Sequence, residues 1–278
     1  MRLCVFLVMC GGLMGQGTLF DNLEEMAARD TLTVAHRGAS EVFPENTLLA
    51  FREAIKTGAP IVELDVHQTK DGVWVVVHDR TLDRTTDARE VFGETKVAVK
   101  DRMWKELQGL DAGSWKNERF AGERLPSLEQ ALAVILPDAV PMIERKGGSA
   151  DALVALLQQL RVVEQVLVQS FDWPWLVRAH EREPRLVIGA LSDLPITTRL
   201  LDEMAQTGAR FAHWDHKRLT LDNCQELHRR GLLVCVYTVN PDVGLLGAAA
   251  LGCDMVTTDR PARLQQLISQ GKVLRPGR

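Results

Sequence analysis

The chain has 278 residues, 46% of them hydrophobic and 25% charged, with a formal net charge of −4. These are ordinary globular values, and they exclude a disordered chain or a long coiled coil. Both signs are dispersed and there is no long lysine or arginine run, which excludes a surface that tracks a nucleic-acid backbone, so an anionic ligand must be attracted locally.

The first residues, "MRLCVFLVMCGGLMGQG", place one arginine before an apolar run from Leu3 to about Met14, followed by the small residues Gly15 and Gly17. That order reads as a weak signal peptide in a segment covering residues 1–30, and it predicts export or a periplasmic location. The alternatives are a misassigned start codon or a buried N-terminal segment in a cytoplasmic protein. The run is too short for a stable membrane span. The five cysteines, Cys4, Cys10, Cys224, Cys235 and Cys253, are odd in number, widely spaced and without a CxxC pair. They predict reduced thiols in apolar surroundings, not a disulfide framework or a thiolate zinc site.

From about residue 31 the chain alternates strand-like and helix-like runs. The strand-like runs are "LTVAH", "IVELDVH", "VPMIER", "VLVQSF", "RLVIGAL", "ARFAHW", "LLVCVYTV" and "DMVTTD". Helical patterns cover Thr47 to Lys56, Ser127 to Ile135, Ala150 to Leu160, Trp173 to Arg182, Thr197 to Gln206, Leu221 to Arg230, Asp242 to Leu251 and Pro261 to Ser269. Such alternation implies a parallel sheet, and eight units of this size predict a closed (β/α)8 TIM barrel over residues 31–278. An open dinucleotide-binding sheet is disfavoured because no GxGxxG follows the first strand. One interval breaks the rhythm: "GVWVVVHD" reads as an extra strand in a hairpin with the second, turned by Lys70, Asp71 and Gly72. The charged stretch that follows, about residues 80–125, reads as a small inserted subdomain capping the barrel mouth.

Side chains alternate along a strand, so in "IVELDVH" Val62, Leu64 and Val66 share one face while Ile61, Glu63, Asp65 and His67 share the other. In a barrel the second set points inward at the strand's C-terminal end, where barrel chemistry is carried. "VPMIERK" repeats the pattern with Met142, Glu144 and Lys146. Glu63, Asp65 and Glu144 then converge, and three nearby carboxylates call for a compensating cation. All-oxygen ligation selects one hard divalent ion, Mg²⁺ or Ca²⁺. Arg37 and Lys146 can complete an anion clamp, the arginine by its planar fork and the lysine as a compact charge. His36 and His78 each end a strand-like run, and histidine suits proton transfer near neutral pH. The plainer alternatives are solvated or salt-bridged acids and satisfied structural histidines. His67, His180, His213, His216 and His228 are read as structural, with a loop or surface role for the pair in "HWDH".

The series "AHRG", "PENT", "VELDVHQTKDG", "VVVHDRTLDRTT", "LDAG", "LPSLEQAL", "IERK", "QSFD", "YTVN" and "TTDRP" resembles the glycerophosphodiester phosphodiesterase family, in family order over most of the chain after residue 31. The resemblance implies a TIM barrel with an inserted subdomain and a divalent cation, and hydrolysis of glycerophosphodiesters, small-molecule substrates, to glycerol 3-phosphate and an alcohol. Carried over by motif, it makes His36 and His78 the acid/base pair, Glu63, Asp65 and Glu144 the metal ligands, and Arg37 and Lys146 the phosphate contacts. Glu45 and Tyr237 are further pocket candidates. The chain departs from the family at Tyr237, where a tryptophan is frequent, and at Arg145, where an aliphatic residue is usual. A lysophospholipase D or sphingomyelinase D type activity on lipids is the enzymatic alternative, served by Trp104, Trp115 and Phe120 if they form an apolar mouth. A catalytically silent phosphodiester- or partner-binding barrel is the alternative of another class.

Overall fold

The structure is a computed structural model and describes residues 17–274. In chain order its elements begin with α1 (Leu19–Arg29), β1 (Leu32–Ala35), α2 (Leu48–Lys56), β2 (Ile61–Gln68) and β3 (Trp74–Val76), then α3 (Ala88–Phe92), α4 (Trp104–Leu107) and α5 (Leu128–Ile135). There follow β4 (Val140–Arg145), α6 (Ala150–Leu160), β5 (Leu167–Ser170), α7 (Trp173–Arg182), β6 (Val187–Ser192) and α8 (Thr198–Ala205). The last are β7 (Phe211–Asp215), α9 (Leu221–Arg229), β8 (Leu233–Tyr237), α10 (Asp242–Ala250), β9 (Met255–Thr258) and α11 (Pro261–Ser269).

The parallel strands run β1, β9, β8, β7, β6, β5, β4, β2, and β2 pairs back onto β1, so the sheet closes into the (β/α)8 barrel expected from the alternation. Val62, Leu64, Val66, Ile143, Val168 and Ile188 face outward and bury against the helices. The inward residues split by height. Leu32, Ile61, Met142, Leu167, Phe211 and Met255 fill the lower barrel with an apolar plug. Above them the interior turns polar with Glu63, Asp65, Glu144, Gln169 and His213, all buried.

The base of the barrel is closed by α1, which periodicity had not singled out. Phe20, Leu23 and Ala27 share one helical face and are buried with the lower apolar plug. The signal was present in the sequence: Thr18 and Asp21 form a capping box, with Asp21 N–H donating to Thr18 Oγ1 at 3.3 Å and Thr18 N–H to Asp21 Oδ2 at 2.7 Å. The apolar run proposed as a signal peptide, with Cys4 and Cys10, lies outside the described residues. Cys224, Cys235 and Cys253 are buried free thiols. Among the described residues no helix is long and apolar enough to cross a membrane.

β3 pairs antiparallel with β2, Val66 opposite Val76, forming the hairpin. The stretch that follows has its own small core, in which Leu82, Val97, Val99, Leu107 and Leu110 pack beneath Val75 and Val77. It is anchored beside the mouth by Phe120 against Phe43 (ring centroids 5.7 Å apart) and by Lys116 Nζ, which donates to Ser40 O at 2.9 Å.

Candidate active site

The register of the barrel brings the acids together. Asp65 on β2 is opposite Glu144 on β4, and Glu63 lies two residues earlier on the same inward face. Glu63, Asp65 and Glu144 are buried, and each offers an oxygen within 4.8 Å of the other two. Burial, then repulsion from Asp65 and Glu144, pushes the Glu63 carboxyl well above its usual range. Burial and the Asp65 charge push Glu144 up to about 7. Burial would raise Asp65 too, but Arg37, Lys146 and the two site histidines outweigh it and hold that carboxyl at about 2.

These residues fit a metal. Glu63 Oε1 is buried with no hydrogen-bond partner among the described residues. Asp65 Oδ1 and Glu144 Oε1 face the Lys146 ammonium at 3.5 and 2.5 Å. Three acids against the charges of Arg37 and Lys146 leave an excess of negative charge, and an all-oxygen donor set suits a hard divalent cation. The three could hold a metal ion.

Arg37 stands where β1 opens into the mouth. Its backbone lies in the left-handed region, φ 54°, a strained choice for a side chain with a Cβ. The turn aims its N–H at Glu63 Oε2, 2.8 Å away, and lets the guanidinium reach both Glu45 Oε1 (2.8 Å) and Asp65 Oδ2 (3.1 Å). Gly38 follows at φ 86°. A Cβ there would stand 2.6 Å from the Ala50 carbonyl carbon, so the loop can lie on α2 only because residue 38 has none. Thr47, not Asn46, caps α2 by accepting from Ala50 N at 3.2 Å. Asn46 is instead spent on the site: its Nδ2 donates to Asp65 Oδ2 at 2.8 Å and its Oδ1 accepts from Asp65 N at 3.2 Å.

Both histidines stand near enough to Asp65 to act on its charge, and each has a carboxylate on Nδ1. His36 meets Asp259 at 2.6 Å and His78 meets Asp79 at 2.6 Å. Nε2 of each ring is thereby the nitrogen left for other partners. Burial lowers the His78 pKa, aided by the charges of Arg37 and Lys146. Glu45 meets the site as a brace: it accepts from Arg37 on one side and from both terminal nitrogens of Arg84 on the other, and Arg84 Nε donates to Asp79 at 2.6 Å. Tyr237 closes the rim, its hydroxyl donating to Ser192 O at 3.0 Å and its ring edge-on to Phe171, 6.0 Å between centroids. Arg145 turns outward, to Asp172 and the Gly148 carbonyl. A cleft of about 580 Å³ opens beside His78, Glu144 and Lys146.

One histidine differs from its expected place, and another, His67, has the structural role expected of it. His213 is not on a loop or the surface. It is a fully buried interior residue of β7, with Nδ1 on Gln169 Oε1 at 2.6 Å and Nε2 on Thr257 Oγ1 at 2.9 Å. Its inward direction follows from the phase of β7, in which Phe211 and His213 point in while Ala212 and Trp214 point out. His67 lines the cleft and its Nε2 donates to the His78 carbonyl at 3.1 Å, so it braces the loop carrying His78. Neither could be separated from an ordinary structural histidine by spacing alone. Asp79, Asp259, Asn46 and Arg84 were also unassigned by residue reasoning, because their partners lie on other elements.

A model of the glycerophosphoryl diester phosphodiesterase family matches residues 36–263. The chain is 35% identical over 253 residues to a Bacillus subtilis glycerophosphodiester phosphodiesterase, covering 83% of this chain and 84% of that protein. It is 33% identical over 249 residues to the glycerophosphodiester phosphodiesterase of Caldanaerobacter subterraneus subsp. tengcongensis, covering 87% and 99%. Among solved structures, an Oleispira antarctica phosphodiesterase in complex with the product sn-glycerol-3-phosphate superposes with a TM-score of 0.78 at 27% identity, covering 88% of this chain and 99% of that one. A glycerophosphodiester phosphodiesterase from Agrobacterium tumefaciens gives 0.74 at 29% identity, covering 85% and 99%. With its barrel closed, its motifs gathered at one mouth and a family match over most of its length, the chain belongs to the glycerophosphoryl diester phosphodiesterase family.

Proposed function

We propose that this protein hydrolyses small glycerophosphodiesters to glycerol 3-phosphate and an alcohol, with one divalent cation, Mg²⁺ or Ca²⁺, held by Glu63, Asp65 and Glu144. The observation that carries the reading is a cluster of three buried carboxylates close to two histidines, each tethered through Nδ1. The product named in the Oleispira structure supports the substrate class.

A divalent ion held by Glu63, Asp65 and Glu144 would offset their charge and supply Lewis-acid polarisation of a phosphoryl oxygen. Arg37 and Lys146 meet non-bridging oxygens of the phosphodiester and stabilise the charge that grows on them as the phosphorus centre becomes crowded. One of His36 and His78 takes the proton of the nucleophile, and the other returns a proton to the departing alkoxide. The nucleophile is water or the substrate's own 2-hydroxyl. Tyr237 and Phe171 supply an apolar rim on which the carbon skeleton can rest.

The aromatic residues of the insertion do not favour the lipid reading. Phe120 is buried and Trp104 packs against the insertion core, which leaves Trp115, 37% exposed and held by its indole N–H on Ala112 O at 2.9 Å, as a single exposed ring and not a broad apolar mouth. The silent-barrel reading is opposed by the presence of both histidines and all three acids in one site.

The test is release of glycerol 3-phosphate from glycerophosphocholine and glycerophosphoethanolamine by the purified protein, in EDTA and after Mg²⁺ or Ca²⁺ is restored. Release that stops in EDTA and returns with the ion is expected. No release with either ion, but turnover of lysophospholipid, would replace the proposal with the lipid activity. Export through the N-terminal segment, residues 1–30 with its apolar run from Leu3 to about Met14, is part of the same proposal, and N-terminal sequencing of the protein from its native host would check it.

A further inference from the structure

Asn240 of "YTVN" and Asp259 of "TTDRP" have no role in the reaction as described, yet the fold brings them together on one histidine. We propose that Asp259, locked by Asn240, is the positioning residue that sets the ring and the tautomer of His36. This rests on the reading of His36 as one of the proton-transfer groups.

Asp259 follows β9, the strand neighbouring β1, and its carboxylate is fully engaged. Oδ1 accepts from His36 Nδ1 at 2.6 Å and Oδ2 accepts from Asn240 Nδ2 at 2.6 Å, while Ser40 Oγ shares its one proton between Oδ1 (2.9 Å) and the His36 carbonyl (2.7 Å). The orientation of the Asn240 amide is itself fixed. Its Oδ1 accepts from Asp259 N at 2.9 Å and from Thr258 Oγ1 at 3.1 Å, so its NH₂ must be the end that meets Asp259. The Asp259 N–H settles the orientation by itself, because a backbone amide can only donate and so must face the Asn240 oxygen.

The consequence is chemical. An acceptor-only carboxylate holds the proton of a neutral imidazole on Nδ1 and leaves the Nε2 lone pair for the reacting atoms. When the ring gains a second proton, the same carboxylate stabilises the cation in place. Burial would favour a protonated Asp259, but the hydrogen bonds from His36, Asn240 and Ser40 overcome it and keep the carboxyl well below its usual range. The other histidine is held differently. Asp79 also takes two hydrogen bonds from Arg84, which is tied through Glu45 to Arg37. The Asp79 carboxylate therefore divides its charge between a histidine and an arginine, whereas Asp259 has His36 as its one ionisable hydrogen-bond donor.

Asp259→Asn keeps the shape and removes the charge. The substituted amide meets Asn240 Nδ2, Ser40 Oγ and His36 Nδ1 with a single oxygen, so its NH₂ must face at least one former donor. On the proposal, kcat for a glycerophosphodiester falls by roughly 100-fold or more while KM and the affinity for Mg²⁺ or Ca²⁺ stay within about twofold. Asn240→Ala, which leaves His36 and Asp259 intact, lowers kcat by roughly tenfold with the same split. In ¹H–¹⁵N spectra of the resting protein, the His36 ring carries its proton on Nδ1 in the wild type and loses that preference in Asp259→Asn. A variant that keeps kcat within threefold and keeps the Nδ1–H tautomer overturns the proposal. So does one that loses ion affinity and melting temperature in step with activity, since Asp259 would then be a structural tie. The spectra need no turnover: a wild type without phosphodiesterase activity but with the carboxylate-dependent tautomer would sink the functional reading alone.

Discussion

At the scale of single residues, the interior of a barrel changes what a side chain can be. His213 is enclosed on all sides, and burial first, then the neighbouring His36, drives its pKa down from 6.5 to about 3. Between those values the unfolded chain binds a proton that the folded chain refuses, so stability is complete above about 6.5 and falls as the pH drops toward 3. At pH 5 the loss amounts to about 2 kcal/mol, at roughly 1.4 kcal/mol for each unit. Urea unfolding at pH 7 and pH 5 checks this, and His213→Gln is expected to remove that part of the acid sensitivity. An equal acid loss in both proteins would assign it elsewhere. The acids at the mouth respond to a different change. Glu63→Gln keeps an oxygen at the site but removes a charge, and calorimetric titration with Mg²⁺ or Ca²⁺ is expected to show roughly tenfold weaker binding or less. His36→Ala and His78→Ala should retain ion binding and lose turnover by roughly 100-fold or more, which separates proton transfer from metal holding.

At the scale of elements, the loop between β1 and α2 does the most with the fewest residues. It sets Arg37 in a left-handed conformation, folds back at Gly38, spends Asn46 on Asp65 and starts α2 at Thr47. Gly38→Ala adds both left-handed strain and a collision with the Ala50 backbone at 2.6 Å. A loss of about 3 kcal/mol or more is expected in urea unfolding, accompanied by reduced turnover because Arg37 is displaced. Gly58 supplies the control, since it has φ 83° but nothing within 4 Å of an added Cβ. Gly58→Ala should cost about 1 kcal/mol from backbone strain alone and leave turnover unchanged. The (β/α) alternation and the inward phase of β2 and β4 were readable in the sequence, because each depends on residues a few positions apart, whereas Thr47 and Asn46 were equal candidates to cap α2 until the structure gave the cap to Thr47. The role Asn46 takes instead was not readable, because Asp65 is nineteen residues away and its distance was set by the sheet.

At the scale of the whole molecule, one end of the barrel is built for stability and the other for chemistry. Phe20 on α1 is 2% exposed, joins the lower apolar plug and carries the Arg210 guanidinium 3.8 Å from its ring centroid. Phe20→Ala is expected to cost about 3–5 kcal/mol in urea unfolding, as a large buried aromatic leaves a cavity. The folded fraction should keep its kcat, because the reacting groups stand at the opposite end. A matching loss of kcat in fully folded protein would show that the base is coupled to the mouth.

The sequence by itself determined the barrel, the inward pair Glu63 and Asp65, their counterpart Glu144, and the two strand-end histidines, because strand periodicity and local motifs encode which face each residue takes. It could not supply the partners. That Asp259 belongs to His36, that Glu45 links Arg37 to Arg84, that His213 is enclosed and that α1 closes the base were decided by closure of the sheet, which sets β9 beside β1 and fixes the register between strands. Hydrogen bonds and burial depend on atoms a few ångströms apart, and closure of the barrel is what converts more than two hundred residues of separation along the chain into the 2.6 Å between His36 and Asp259.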